Sequence, residues 1–304
     1  MTSGELLPPP RKIERKRLFC RFYLLVFGCI LIVAHNHFGL EYTLKADTIR
    51  KLETDDPPDT SVIITSSLIP THPSISIINK TFASIRTCID GLAHNTPIFI
   101  SVDGLKPKYY DNKNIDILHE YVKHLRLRFQ HDPYVSILNN YKRGHISGSI
   151  ETALEMVETK YIHVIQHDLA FIKHINHRAL VNVMEERPSQ VQIVRFNKDK
   201  FPRRVTRSPL CDGLHKLESH GLKLRLSMWG DNNHLTTKKY YSRLLKDMGP
   251  FPRPPEAPMQ NRQTKFENRS DCTYFLQYLY QPQYAPHIFH LDGRLTMTDQ
   301  NNTV

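Results

Sequence analysis

The chain is poor in glycine, with 12 in 304 residues, and it has five cysteines and one tryptophan. So little glycine excludes collagen-like and low-complexity chains. So few cysteines exclude a small scaffold held by disulfides. No internal period is present, which excludes a repeat solenoid. Also missing are a phosphate loop of the Gly-x-x-x-x-Gly-Lys type, a dinucleotide glycine fingerprint, a Gly-x-Ser-x-Gly elbow and a paired-cysteine zinc pattern. His119-Glu120 followed by His124 has one residue too many for a zinc-protease helix, whose two ligands must lie four apart on one face.

What is there describes a globular domain with attachments. Hydrophobic residues make up 40% and charged ones 23%, enough to bury a core of roughly 230 to 250 residues once the ends are set aside. The formal net charge of +11 suggests nucleic acid at first sight. Part of it, however, sits at the N-terminus, where Arg11, Lys12, Arg15, Lys16, Arg17 and Arg21 outnumber Glu5 and Glu14. The rest is dispersed, and no nucleic-acid-binding module is visible.

Behind the basic cluster runs an apolar stretch, Leu18 to Ala34, broken only by Arg21. It is close to the roughly 20 residues that a membrane-spanning helix needs. Positive charge before it predicts a cytoplasmic N-terminus and a luminal remainder. A cleaved signal peptide is the competing reading, but His35-Asn36-His37-Phe38 offers no small-residue cleavage site. The expected organisation is a basic tail (1–17), a signal anchor (18–34), a stem ending in Asp55-Asp56-Pro57-Pro58-Asp59 (35–60) and a luminal domain (61–304). Cys20 and Cys29 fall in the anchor, so Cys88, Cys211 and Cys272 can form at most one bridge. Triplets at Asn79-Lys80-Thr81, Asn268-Arg269-Ser270 and Asn301-Asn302-Thr303 are compatible with a secretory compartment, the endoplasmic reticulum or Golgi.

From Ser61 onward, short apolar runs alternate with longer amphipathic stretches. Strands are expected at Val62–Thr65, Pro97–Val102, Tyr134–Leu138, Tyr161–Ile165 and Val191–Phe196. Helices are expected at Ile75–Leu92, Lys108–Phe129 and Ser147–Glu158. Such alternation predicts an α/β fold with a parallel-rich sheet, which binds ligands beyond the carboxyl ends of its strands. Those ends are polar: Thr65-Ser66-Ser67, Asp103-Gly104, Asn139-Asn140 and His167-Asp168.

These segments, with Lys142-Arg-Gly-His-Ile-Ser-Gly-Ser149 and Gln166-His-Asp168, resemble a glycosyltransferase of the GT-A type, close to family 2, over residues 61 to 170. The second half is similar only by order of segments: Met228-Trp229-Gly230-Asp231, then Pro254-Pro255-Glu256, then His287-Ile-Phe-His-Leu-Asp-Gly-Arg294. The resemblance implies transfer of a sugar from a nucleoside diphosphate to a glycan or glycoprotein, with inversion at the anomeric carbon. It implies donor contacts from Thr65, Ser67, Asp103, Arg143, Ser147, Gln166 and His167, and a divalent cation, Mn2+ or Mg2+, on Asp168 with His290. It further implies Glu256 as general base, with Glu267 and Asp271 as rivals, and a donor-sugar or acceptor contact from Asp231.

One departure bears on this. Gln166 stands where that family's Asp-x-Asp motif begins. It leaves open a transferase that neutralises the diphosphate with Lys142, Arg143, Arg195, Arg203, Arg204 or Arg294 instead of metal. It also motivates the alternative of a membrane-tethered glycan-binding protein without catalysis.

Overall fold

The computed structural model describes residues 58–68, 74–198, 216–227, 229–248, 259–261, 277–280 and 286–291, all within one compact unit, Pro57–Val304. The expected anchor, Glu256 with its rivals Glu267 and Asp271, and Arg203, Arg204 and Arg294 lie outside them. So do Cys211, Cys272 and the two later triplets. Among the described residues no helix is long and apolar enough to cross a membrane.

The strand-rich first half follows the expected order with small shifts. Strands β1 (Thr60–Ser67), β3 (Ile98–Asp103), β4 (Val135–Asn139) and β5 (Tyr161–Gln166) are joined by helices α1 (Ser76–Cys88), α2 (Asn112–Phe129) and α3 (His145–Met156). The two-residue strand β2 (Ile89–Asp90) follows α1. The expected helix at Lys108 begins instead at Asn112. There the Asp111 side chain accepts the Asn114 N–H at 2.8 Å and caps the helix, behind a short 3-10 turn at Pro107–Tyr109.

The later part comprises β6 (Leu169–Phe171), β7 (Ile175–Asn176), α4 (His177–Glu186), β8 (Ile193–Arg195), β9 (Lys216–Ser219), β10 (Leu222–Leu226), β11 (His234–Thr237), α5 (Lys238–Met248), β12 (Gln277–Tyr280) and β13 (Ile288–His290). The hairpin joining β9 to β10 turns through His220 and Gly221, at φ of 50° and 72°. Both central residues at positive φ match the twist of the strands they link.

Nine strands form one sheet in the order β4-β3-β1-β5-β11-β8-β12-β10-β9. The first four run parallel, β11 runs against both β5 and β8, and β12 is parallel to β8. Helices cover both faces, so the central strands read as near-continuous apolar runs. Alternate residues serve opposite cores. Val62, Ile64, Ile98 and Ile100 pack toward α1, α2 and α4. Ile63, Phe99, Ile162 and Val164 pack toward α3 and α5. Each fully buried aliphatic chain of this kind contributes about 1.5–3 kcal/mol.

The order β4-β3-β1-β5 places the site. The chain moves outward from β1 through β3 to β4, then α3 carries it back across to β5 on the other side of β1. Connections leaving β1 and β5 therefore diverge, and the crevice between their carboxyl ends is where open sheets of this kind take ligands.

Candidate functional site

Register brings the polar strand ends together. Ser67 pairs with Asp103 across β1 and β3, and Thr65 pairs with Gln166 across β1 and β5. Thr65 is buried, its hydroxyl donating to the Ile165 carbonyl at 3.4 Å, while Ser67 is half-buried.

Asp103 is buried, and one carboxylate oxygen accepts the Gly144 N–H at 2.7 Å. The other lies 3.9 Å from the Arg143 guanidinium. Gly104 allows this approach, because a β-carbon there would come within 2.7 Å of the Arg143 nitrogen. Asp103 thus anchors the turn that opens α3, and Arg143 is held beside the crevice. Arg143 also contacts both ring nitrogens of His145, which has φ 56°. Burial and then the neighbouring guanidinium hold the His145 imidazole below its ordinary value. Ser147, in the first turn of α3, is buried with its hydroxyl unpartnered among the described residues.

At the end of β5, His167 is bolted to its surroundings. Its N–H donates to the Thr65 carbonyl at 2.9 Å, its Nδ1 reaches the same oxygen at 3.3 Å, and its carbonyl accepts the Thr81 hydroxyl at 2.7 Å. Burial pushes its imidazole down. The Asn79-Lys80-Thr81 triplet lies in α1, with Thr81 fully buried. Cys88, at the end of that helix, is a free thiol.

Asp168 and His290, expected together, do meet: Oδ2 and Nε2 are 3.2 Å apart. The antiparallel pairing of β6 with β13 places His290 opposite Leu169, and the Leu291 N–H donates to the Asp168 carbonyl at 2.7 Å. Nothing local in either segment signals this pairing. A half-exposed imidazole and a partly exposed carboxylate form a mixed nitrogen and oxygen donor pair that could hold a divalent ion, Mn2+ more readily than Mg2+, which prefers oxygen ligands. Among the described residues no group of three or more His, Cys, Asp or Glu forms a closed cage. His287 is separate from this pair: it is buried against Tyr280, and burial lowers its imidazole to about 4.

Gln166 has a use that a carboxylate could not serve. Its Nε2 donates to the Asp231 carbonyl at 2.8 Å, while its backbone N–H donates to Asn233 Oδ1 at 2.9 Å. Asn233 in turn donates to the Leu169 carbonyl at 2.7 Å. One segment, 229–233, is thereby clasped over the end of β5. Gln277, fully buried on β12, exchanges two hydrogen bonds with the Gly230 backbone at 2.9 and 3.0 Å. Gln260 donates to the Trp229 carbonyl at 3.0 Å. Gly230 itself leaves room for the Arg195 guanidinium, with which any β-carbon would collide. Asn233, Gln260 and Gln277 were not foreseeable as site-builders, since isolated amides carry no spacing signal. Met259, three residues after Glu256, is buried in the same core as Trp229.

No family model matches the chain, and no curated protein matches it. Among solved structures it is similar to S. aureus TarS 1-349 in complex with UDP. The identity is 11% and the TM-score 0.42, over 76% of this chain and 60% of that one. It is also similar to the longer S. aureus TarS, with 12% identity and a TM-score of 0.41 over 76% and 36% of the two chains. The chain thus spans less than two thirds of either protein.

Proposed function

We propose that the protein is a nucleotide-sugar-dependent glycosyltransferase whose donor lies in the crevice between the ends of β1, β3 and β5. The observation that carries this reading is that an Asp103–Arg143 pair and an Asp168–His290 pair stand at the carboxyl ends of β3 and β5, the two strands that flank β1. A diphosphate needs cations, and Arg143 on one side with Asp168 and His290 on the other can supply them by direct charge and by holding a divalent ion. Such an ion, when bound, would spread the charge that develops on the leaving phosphate. Thr65, Ser67 and Ser147 surround the place proposed for the nucleoside, and His167 orients the strand end behind it.

The acceptor half is read from the clasped segment. Asp231 is held at the crevice by Gln166, and it is proposed to contact the donor sugar or the acceptor hydroxyl. Glu256 is proposed as the base that takes the hydroxyl proton as the oxygen attacks the anomeric carbon, giving inversion. Gln166 acting as a donor supports a positioning role for it and weakens the ground for a non-catalytic glycan-binding protein. A membrane tether through residues 18–34, with the domain in the lumen of the Golgi or endoplasmic reticulum, belongs to the same proposal.

The test is thermal stabilisation of the full chain in detergent by a panel of nucleoside diphosphates, with and without Mn2+, because a ligand of the native state raises its stability. Selective stabilisation that needs the metal is the expected result. Stabilisation without metal would reassign the diphosphate to arginine and lysine. No response to any nucleotide would overturn the donor site.

A further inference from the structure

The loops leaving β3 and β4 meet beside the donor crevice. A β-carbon on Gly104 would come within 2.7 Å of the Lys142 carbonyl carbon and 3.0 Å of the Tyr141 carbonyl oxygen, so the two backbones lie against each other. Both are pinned. In the first, Leu105 is buried, and the 3-10 turn donates the Tyr109 N–H to the Lys106 carbonyl at 2.8 Å and the Tyr110 N–H to that of Pro107 at 3.2 Å. In the second, the Asn140 N–H donates to the Val102 carbonyl at 2.9 Å and its Nδ2 to the Ser101 hydroxyl at 3.0 Å.

These loops carry the two most exposed large hydrophobic side chains among the described residues, Tyr141 at 80% and Tyr110 at 69%. Rings left in water on a fixed backbone gain little from folding and are what a binding surface presents. Around them Lys106, Lys108, Lys113 and Lys142 are exposed. The acids of the same segments are occupied: Asp103 by Gly144 and Arg143, and Asp111 by the Asn114 N–H and side-chain amide at 2.8 and 2.6 Å. The lysines act on their neighbours. A hydrogen bond from Lys108, then its charge and that of Lys106, hold the Tyr109 phenol below its ordinary value. Lys106 acts in the same sense on His145 across the loop junction, after burial and Arg143.

We propose that this surface docks an acidic glycan, a chain of sugar rings bearing carboxylate or sulfate groups. A phenol ring takes the apolar C–H face of a sugar, and the lysines supply the complementary charge. Single-stranded nucleic acid would use the same stacking and charge. The glycan is favoured because Asp103 and Arg143 make the surface continuous with the crevice read as a transferase's donor site, and the choice of class rests on that reading.

Fluorescence-anisotropy titration of the full chain in detergent tests it with three probes of equal length: oligogalacturonate, its methyl ester and single-stranded oligothymidylate. Saturable binding of oligogalacturonate is expected, with the uncharged ester and oligothymidylate each at least about tenfold weaker. Tyr110→Ala with Tyr141→Ala should weaken it about tenfold, and Lys106→Gln with Lys142→Gln by a similar factor. Tyr141→Phe keeps the ring and should leave binding unchanged. So should Lys223→Glu, which removes as much positive charge near the opposite edge of the sheet. Should a double variant fail to fold by circular dichroism, Tyr141→Ala and Lys142→Gln alone each give a loss of about threefold.

Absence of oligogalacturonate binding, or unchanged binding by the tyrosine or lysine variants, overturns the surface. An equal loss with Lys223→Glu does so too, since it marks net charge alone. Equal binding of the ester overturns the acidic class, and equal or tighter oligothymidylate overturns the glycan and assigns nucleic acid. Loss of nucleoside diphosphate stabilisation in the tyrosine variant overturns the docking role and assigns the rings to the donor. Glycan binding with the expected losses, but no response to any nucleotide, sustains the surface and overturns the donor site alone.

Discussion

The two ends of the central sheet are built on different terms. At the carboxyl end, charges come in pairs: Asp103 with Arg143, and Asp168 with His290. At the amino end, four cations face one cavity without an acid in its lining. Paired charges hold loops in place before any ligand arrives, and such preorganisation is what a reaction centre requires. The same sheet therefore carries loop-fixing ion pairs at one end and a cation-lined cavity at the other.

The largest effect that tests this contrast is acid unfolding. His177, near the amino end, and His234, at the start of β11, are each held down to about 4 by burial, against an ordinary value of 6.5. Between those values the unfolded chain binds more protons than the folded one, so stability is complete above about pH 6.5 and is lost as pH falls toward 4. The loss is about 3 kcal/mol for each, or about 6 kcal/mol together. Urea unfolding at pH 7 and pH 4.5 checks it. A midpoint that does not move would show that these imidazoles are not buried neutral. His177→Gln should remove about 3 kcal/mol of the pH dependence.

Next comes Asp168→Asn, which acts at the carboxyl end alone. It should abolish the metal-dependent part of nucleoside diphosphate stabilisation, worth about 2.7 kcal/mol at a ligand concentration 100 times Kd. The urea midpoint should stay as it was. A lowered midpoint would mean that the substitution unfolds the sheet.

Gln166→Glu is a sharper probe, because it keeps the shape and replaces the amide donor by a carboxylate facing the Asp231 carbonyl. The expected cost is about 2 kcal/mol in chemical denaturation, from a lost hydrogen bond and a charge facing a carbonyl oxygen. A gain in metal-dependent nucleotide binding would instead make Gln166 a displaced metal ligand. The smallest effect is that of Thr81→Val, which removes the hydroxyl bonded to the His167 carbonyl and should cost about 1 kcal/mol while leaving nucleotide affinity nearly unchanged.

How far the sequence could be read varies along the chain in a physically sensible way. β1, β3 and β5 were legible because strands buried on both faces must be apolar, and Val62-Ile63-Ile64 or Ile98-Phe99-Ile100 have no competing use. Their polar ends were legible as one site because parallel strands share a direction. By contrast β11, β12 and β13 are three or four residues long and pair with strands far away in the chain. Asp168 and His290 were brought together in advance only by resemblance, since the β6–β13 ladder that joins them has no local signal. Gln166 was read as a defect in a motif, and its amide acquires a purpose only once Asp231 stands 2.8 Å away.

The sequence by itself determined the class of fold and the parallel run of its first four long strands, because hydrophobic period and connection length act within a few residues. It also placed polar residues at the carboxyl ends of β1, β3 and β5, which register brings side by side. Tertiary structure decided which polar groups became partners, and left the cations of the amino-end cleft without an acid among its lining residues. Hydrogen bonds and ion pairs depend on distances of a few ångströms between residues up to some 120 positions apart, and only the completed packing sets those distances.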